Sequence, residues 1–345
     1  MTTSLMFAEA AEAGAAATRQ VTANRDRVAG ITDRLRTIDP PFVATLARGS
    51  SDHAASFAKV LFETRLRLPV VSHPPSIGSL YRTTSPRLAG VPLLVISQSG
   101  RSPDLIAAAQ EAKDVGAIII AMVNDEQSPL AALADHLLPL HAGPERSVAA
   151  TKSFVASLVA VTQFVAAWSN DDLLSQAIGE VGSAIDRSFA LDWSAALPLL
   201  TGPRSLLVLG RGLTLPIAGE AALKFKETSA LHAEAFSIAE VAHGPMTLIA
   251  AGDPVFVFAP EDPAREGTAE RIAAFAERGA RVIAAGDDAD TAGAAIRLPI
   301  VRHAHPVIGA IGQIASFYRL AEALARARGR DPDHPPYLAK VTRTL

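Results

Sequence analysis

Residues 220–245, EAALKFKETSALHAEAFSIAEVAHGP, put Lys224, Glu227, His232, Glu234 and His243 within 24 positions. These are the groups of general acid and base chemistry. Ala221 to Thr228 is built from strong helix formers, so Lys224 and Glu227, three apart, are expected on one helix face. A neighbouring lysine favours the ionised carboxylate and partial burial opposes it, the pulls by which a protein poises a general base near neutrality. The bland reading is a solvated i,i+3 ion pair followed by a packing histidine, and for an isolated pair that is the commoner case.

A second candidate is Ser97-Gln98-Ser99-Gly100-Arg101-Ser102, directly after the apolar strand PLLVI and directly before a helix opening at Pro103-Asp104. Ser102 suits an N-cap and proline the first helical position. A hydroxyl-rich loop at a strand's C-terminal end, feeding a helix N-terminus, presents donors to an anion. A plain capped turn is the alternative, but turns seldom need three serines, a glutamine and a glycine together. Gly210-Arg211-Gly212 fails as a dinucleotide fingerprint because its third glycine falls at Leu215. His232 and His243 stand eleven apart without a close third ligand, so neither metal nor cofactor is expected.

An internal repeat supplies the elements that hold these groups. LARGSS around Arg48-Gly49 recurs as LGRGLT around Arg211-Gly212, and GAIIIAMVND from Gly116 recurs as GARVIAAGDD from Gly279, both at an offset of 163. Two matches at one offset argue for duplication. In the first half FVATLA, DHAASFAKVLFETRL, PLLVISQ, PDLIAAAQEAKDVG and AIIIAMV alternate strand and helix patterns, which predicts crossover units on a parallel sheet. The fold class expected is α/β, with two doubly wound parallel-sheet domains. At the offset of 163, Ser97 corresponds to Pro260, and the loop there, FAPEDPAREG, has lost the serines and gained carboxylates. One phosphate site per subunit, in the first half, follows.

With 345 residues, 49% hydrophobic and 19% charged, the composition is that of a soluble globular chain long enough for two domains. A net charge of −3 favours neither nucleic acid nor a membrane surface. The longest near-continuous apolar run, Val115 to Val123, is too short to cross a bilayer, and the N-terminus lacks the pattern of a signal peptide, so a cytoplasmic protein is expected. The absence of cysteine excludes disulfides and any thiolate nucleophile.

ARGSSDHA, SQSGRSPDL, ERSVAATKSF, GRGLTLPIAGEAALKFKETSALHAEAFSIAEVAHGPM and PPYLAKVT, in that order, resemble the sugar isomerase (SIS) family, in particular the isomerase half of glucosamine-6-phosphate synthases. The likeness spans nearly the whole chain. The residue pattern marks an N-terminal helical segment 1–38, a linker helix over 169–192 after the Ser169–Asp172 break and a proline-rich tail over 331–345 lying on the surface, with apolar Tyr337, Leu338 and Val341 to dock it; the SIS domains then cover 39–168 and 193–330. The likeness implies that Ser50, Ser51, Ser97, Gln98, Ser99 and Ser102 hold a sugar phosphate and that Glu227, beside Lys224, moves the proton between C1 and C2. His243 would open the sugar ring from the neighbouring subunit of a homodimer, and Lys340 would form a Schiff base with the open-chain keto sugar. Glu145, Val148, Thr151 and Lys152 match the loop after the first sheet, and Ala339 precedes the tail lysine at the sugar's edge. Where the synthases read ASTK this chain has Ala149-Ala150-Thr151-Lys152, one hydroxyl fewer. The synthases' glutamine-hydrolysing domain has no counterpart here.

The expected activity is interconversion of glucosamine 6-phosphate with fructose 6-phosphate and ammonia, in the deaminating direction. A deglycase or isomerase on another phosphosugar, such as a fructosamine 6-phosphate or an N-acetylgalactosamine pathway intermediate, is a second reading. A non-catalytic sugar-phosphate sensor is a third. Sensors of this fold pair it with a basic DNA-binding segment, and none is visible.

Overall fold

The structure, a computed structural model, describes residues 3–340. The described residues divide into two compact units, one built from residues 15–145, 152–182 and 339–340 and the other from residues 3–14, 146–151 and 183–338. Each contains one five-stranded sheet whose paired strands are all parallel.

The first sheet runs β2-β1-β3-β4-β5, from β1 (Val43–Leu46), β2 (Val70–Ser72), β3 (Pro92–Ser97), β4 (Ile118–Val123) and β5 (His136–Pro139). β1, β3 and β4 are almost wholly buried, as strands covered on both faces must be. Leu93, Val95, Ile119 and Ala121 pack with the helix Pro103–Asp114 through Leu105, Ala108 and Ala112. Elsewhere in this unit the rings of Phe62, Phe164 and Trp168 meet edge to face, with centroids 5.6–6.2 Å apart. Phe164 and Trp168 belong to the helix Lys152–Ser169, which is long and apolar enough to cross a membrane by length and composition, yet 89% of it is buried inside the fold.

The second sheet runs β10-β9-β8-β6-β7, from β6 (Ser205–Gly210), β7 (His232–Ser237), β8 (Pro254–Phe258), β9 (Arg281–Ala285) and β10 (Ile296–Leu298). Phe225 of the helix Thr214–Ser229 and Phe317 of the helix Pro306–Ala327 meet edge to face at 5.0 Å, and each meets Phe256 edge to face. The helix Thr268–Glu277 contributes Ile272 and Phe275 to a separate cluster with Val255 and Val257.

Both units are doubly wound, and the short strands β2, β5 and β10 join the alternation expected from sequence. Residues 169–192 contain two helices, Asp172–Gly179 and Val181–Phe189. The N-terminal segment likewise contains two, Leu5–Ala11 and Ala13–Ile38. One expectation is corrected by the sheet register. Ala44 pairs with Leu93 and Leu207 with Val255, so the offset is 163 between β1 and β6 but 162 between β3 and β8. Ser97 therefore corresponds to Ala259, Gln98 to Pro260 and Ser99 to Glu261. The second half is one residue shorter before β8, a gap that sequence matches on either side of it do not reveal.

Candidate active site

The helix Thr214–Ser229 buries Lys224 completely. Its ammonium donates to Glu227, one turn on, and lies 3.5 Å from Glu220, one turn back. Glu220 is also fully buried and accepts from the Tyr318 hydroxyl at 3.1 Å, while Glu227 keeps 22% of its side chain exposed. Burial acts to lower the lysine's pKa, but the two carboxylates outweigh it and raise the pKa above the ordinary value. A buried cation between two carboxylates gains little net stability for its desolvation cost. Its arrangement instead leaves one carboxylate, Glu227, held in place and open to a ligand. Glu220 and Tyr318 went unnoticed in the sequence. The i,i+4 spacing of Glu220 to Lys224 was a signal for the first; nothing local pointed to the second.

His243 ends the short turn Glu240–His243 and is exposed, without a hydrogen bond or ion pair to Lys224 or Glu227. His232 and Glu234 lie exposed on β7 rather than with the acid/base helix.

In the first-sheet unit the anion-loop candidate follows β3 directly. Ser97 Oγ accepts from Gly100 N at 3.1 Å and Ser99 Oγ from Arg101 N at 3.3 Å. Each hydroxyl used as an acceptor keeps its own proton to donate. Gly100 has φ 62°, and a Cβ there would run into the Ser128 side chain, which is why this turn needs glycine. Ser102 occupies the N-cap position of Pro103–Asp114 as expected, but its hydroxyl makes no capping bond. Gln98 is half-buried, and its carbonyl accepts from Asn124 N at 3.2 Å. Ser50 and Ser51 open the helix Ser50–Leu61, whose N-cap is Gly49 at φ 56°. Arg48, at the end of β1, forms an ion pair with the buried Asp104, in the first turn after the loop. Hydroxyls, helix N-termini and a guanidinium are the group types that hold anions.

Lys340 Nζ donates to Glu145 Oε2 at 3.0 Å in the same unit. Thr151 and Lys152 are buried, Ala150 and Val148 half-buried, and Ala339 exposed. Val148 N donates to Asp333 O at 3.3 Å, and the Asp333 carboxylate accepts from Leu5 N at 2.8 Å and Met6 N at 2.7 Å. Asp333 and Lys340 of the tail are thus held by polar contacts. Tyr337 and Leu338, expected to dock it, are exposed, and Val341 lies outside the described residues.

Residues 41–167 and 199–323 match the model of the SIS domain family. The isomerizing glutamine–fructose-6-phosphate aminotransferase of Thermus thermophilus is 34% identical over 313 residues, 86% of this chain and 51% of that protein. That of Halobacterium salinarum is 35% identical over 321 residues, 86% of this chain and 50% of that protein. The chain spans about half the length of the curated relatives it matches. Among solved structures, a Silicibacter pomeroyi protein proposed to be a phosphosugar isomerase gives a TM-score of 0.90 at 41% identity, covering 96% of this chain and 100% of that one. The C-terminal domain of glucosamine-fructose-6-phosphate aminotransferase from Francisella tularensis gives 0.86 at 24% identity, over 97% and 99% of the two chains, a likeness of fold.

Proposed function

The chain belongs to the SIS domain family, and on that premise we propose that it is a phosphosugar isomerase of the amino-sugar type, interconverting glucosamine 6-phosphate with fructose 6-phosphate and ammonia. The observation that carries this reading is the fully buried Lys224 between Glu220 and Glu227, a polar arrangement that packing alone does not call for. Ser50, Ser51, Ser97, Gln98, Ser99 and Ser102 bind the phosphate. His243, supplied by the second subunit of a homodimer, opens the ring; its exposure and its lack of a hydrogen bond or ion pair among the described residues fit that role. Glu227 takes the proton from one of C1 and C2 and returns it to the other, with Lys224 stabilising the enediol charge. Lys340 forms the Schiff base with the keto sugar, next to Ala339 and Val148.

We assign the deaminating direction, in which nitrogen leaves as free ammonia. Ala150, which replaces a family hydroxyl, favours a second reading in which the C2 substituent differs and the enzyme isomerises or deglycates another phosphosugar. Incubation of the purified protein with a panel of phosphosugars, following ammonia and ketose release, separates the two. Ammonia from glucosamine 6-phosphate supports the first reading; ketose from another phosphosugar without ammonia supports the second; no turnover of any member sinks both.

A further inference from the structure

We infer that Glu145 is the proton-transfer partner of Lys340, the carboxylate that takes the ammonium's proton when Lys340 attacks a keto sugar and returns it to the departing oxygen. This rests on the Schiff-base reading of Lys340 given above.

Lys340 lies 195 residues from Glu145 in sequence, and its Nζ sits 3.0 Å from Oε2. The Glu145 side chain is fully buried, and Lys340 keeps 24% of its side chain exposed. Ser153 fixes the carboxylate through two bonds, N to Oε1 at 3.1 Å and Oγ to Oε2 at 2.6 Å. Ser153 stands in the first turn of the helix Lys152–Ser169, where unpaired N–H groups and the helix dipole favour an anion. A tether for a tail can be made at the surface, and exposed ion pairs are cheap. Burying a carboxylate is not. A buried carboxylate with a locked rotamer, touching the one amine assigned to attack a carbonyl, has the geometry of a base.

The chemistry needs such a group. An ammonium has no lone pair, so Lys340 must lose a proton before its nitrogen bonds to the carbonyl carbon. Glu145 accepts that proton. The nitrogen adds to C2 as the carbonyl π bond breaks, and one of the nitrogen's remaining protons passes to the alkoxide oxygen, giving the neutral carbinolamine. The carboxylic acid of Glu145 then protonates the hydroxyl, which leaves as water as the nitrogen lone pair forms the iminium. One ketone and one ammonium give one iminium and one water, and Glu145 ends as it began.

The test is reductive trapping. The protein is mixed with fructose 6-phosphate and cyanoborohydride, which reduces iminium, and the adduct on the Lys340 peptide is followed by mass spectrometry against time and pH. Wild type should accumulate the adduct, and Glu145→Gln should slow it by about 10²-fold or more near neutrality. The deficit should shrink as pH rises, because solvent can then deprotonate the amine. Glu145→Asp, which keeps a carboxylate, should recover part of the rate. A purely structural role would lower trapping by the same factor at every pH and give Glu145→Asp no advantage. That pattern, or a wild-type rate in Glu145→Gln, overturns the inference while leaving the Schiff base standing. No adduct in wild type overturns the Schiff-base reading itself, and the inference with it.

Discussion

The C-terminal ends of β3 and β8 occupy the same place in the two duplicated sheets and carry opposite chemistry. After β3 stand Ser97, Gln98, Ser99 and Gly100, whose turn leaves hydroxyl protons to donate. After β8 stand Ala259, Pro260, Glu261 and Asp262. Burial, reinforced by the nearby Asp287 and only partly offset by Arg302 and Arg265, pushes Glu261 up to about 7. The helices after β1 and β6 differ in the reverse sense. Positions 57 and 61 of the first half are the buried Phe57 and Leu61, and their counterparts at the offset of 163 are Glu220 and Lys224. One copy thus carries a hydroxyl-rich loop and an apolar helix, and the other an ionic network on its helix and carboxylates in the matching loop. On the function proposed above, the first would serve binding and the second the chemistry.

The sharpest break of this comparison is at Glu227. Glu227→Gln should retain phosphosugar binding and lose on the order of 10²–10⁴ in kcat, the usual contribution of a general base. Thr64→Ala, at the corresponding place in the π-helical turn Phe62–Leu66 just after the first-half helix, should leave kcat unchanged. Equal effects from the two would end the division of labour. The next largest effect is gained rather than lost. A mixture of His243→Ala and Glu227→Gln chains should recover about a quarter of wild-type activity, because random exchange in a two-fold dimer makes half the dimers hybrid, with one of two sites intact. Two inactive parents that stay inactive after demonstrated exchange would place His243 in its own chain's site, or in none.

Ser99→Ala or Ser102→Ala should weaken phosphorylated ligands by roughly 10-fold, the worth of one hydrogen bond to a charged group. By calorimetry Glu261→Gln, in the corresponding loop, should leave that affinity alone. A loss shared by unphosphorylated sugars would make the serine loop merely structural. The smallest effect is on stability. A carboxyl whose folded pKa exceeds its unfolded value binds its proton better when folded. The Glu261 contribution is therefore complete below the unfolded value of 4.5 and is lost as pH rises through about 7. Glu261→Gln should thus raise the melting temperature by a few degrees at about pH 8 and not at about pH 4. An equal gain at both would mean the charge is not the cause.

Much of this was legible in the sequence, for reasons that differ by residue. The serine loop was readable because strand, glycine and helix start lie adjacent in the chain. Lys224 and Glu227 were readable from one helical turn. That their helix face is internal, which brings in Glu220 and Tyr318, needed the packing of the helix Pro306–Ala327. β2, β5 and β10, of three or four residues each, are too short for a period to register. Glu145 and Lys340 were visible only as separate matches to family motifs. No local pattern links residues 195 apart.

On the function proposed above, Glu227 moves a proton between C1 and C2 of the phosphosugar. Proton NMR of fructose 6-phosphate incubated with the enzyme in D2O reads that step whatever the nitrogen chemistry. Wild type should wash one deuterium into C1, and Glu227→Gln should suppress the exchange by on the order of 10²-fold or more while still binding the sugar. Exchange at the wild-type rate in Glu227→Gln, or none in wild type at saturating sugar, would contradict the account.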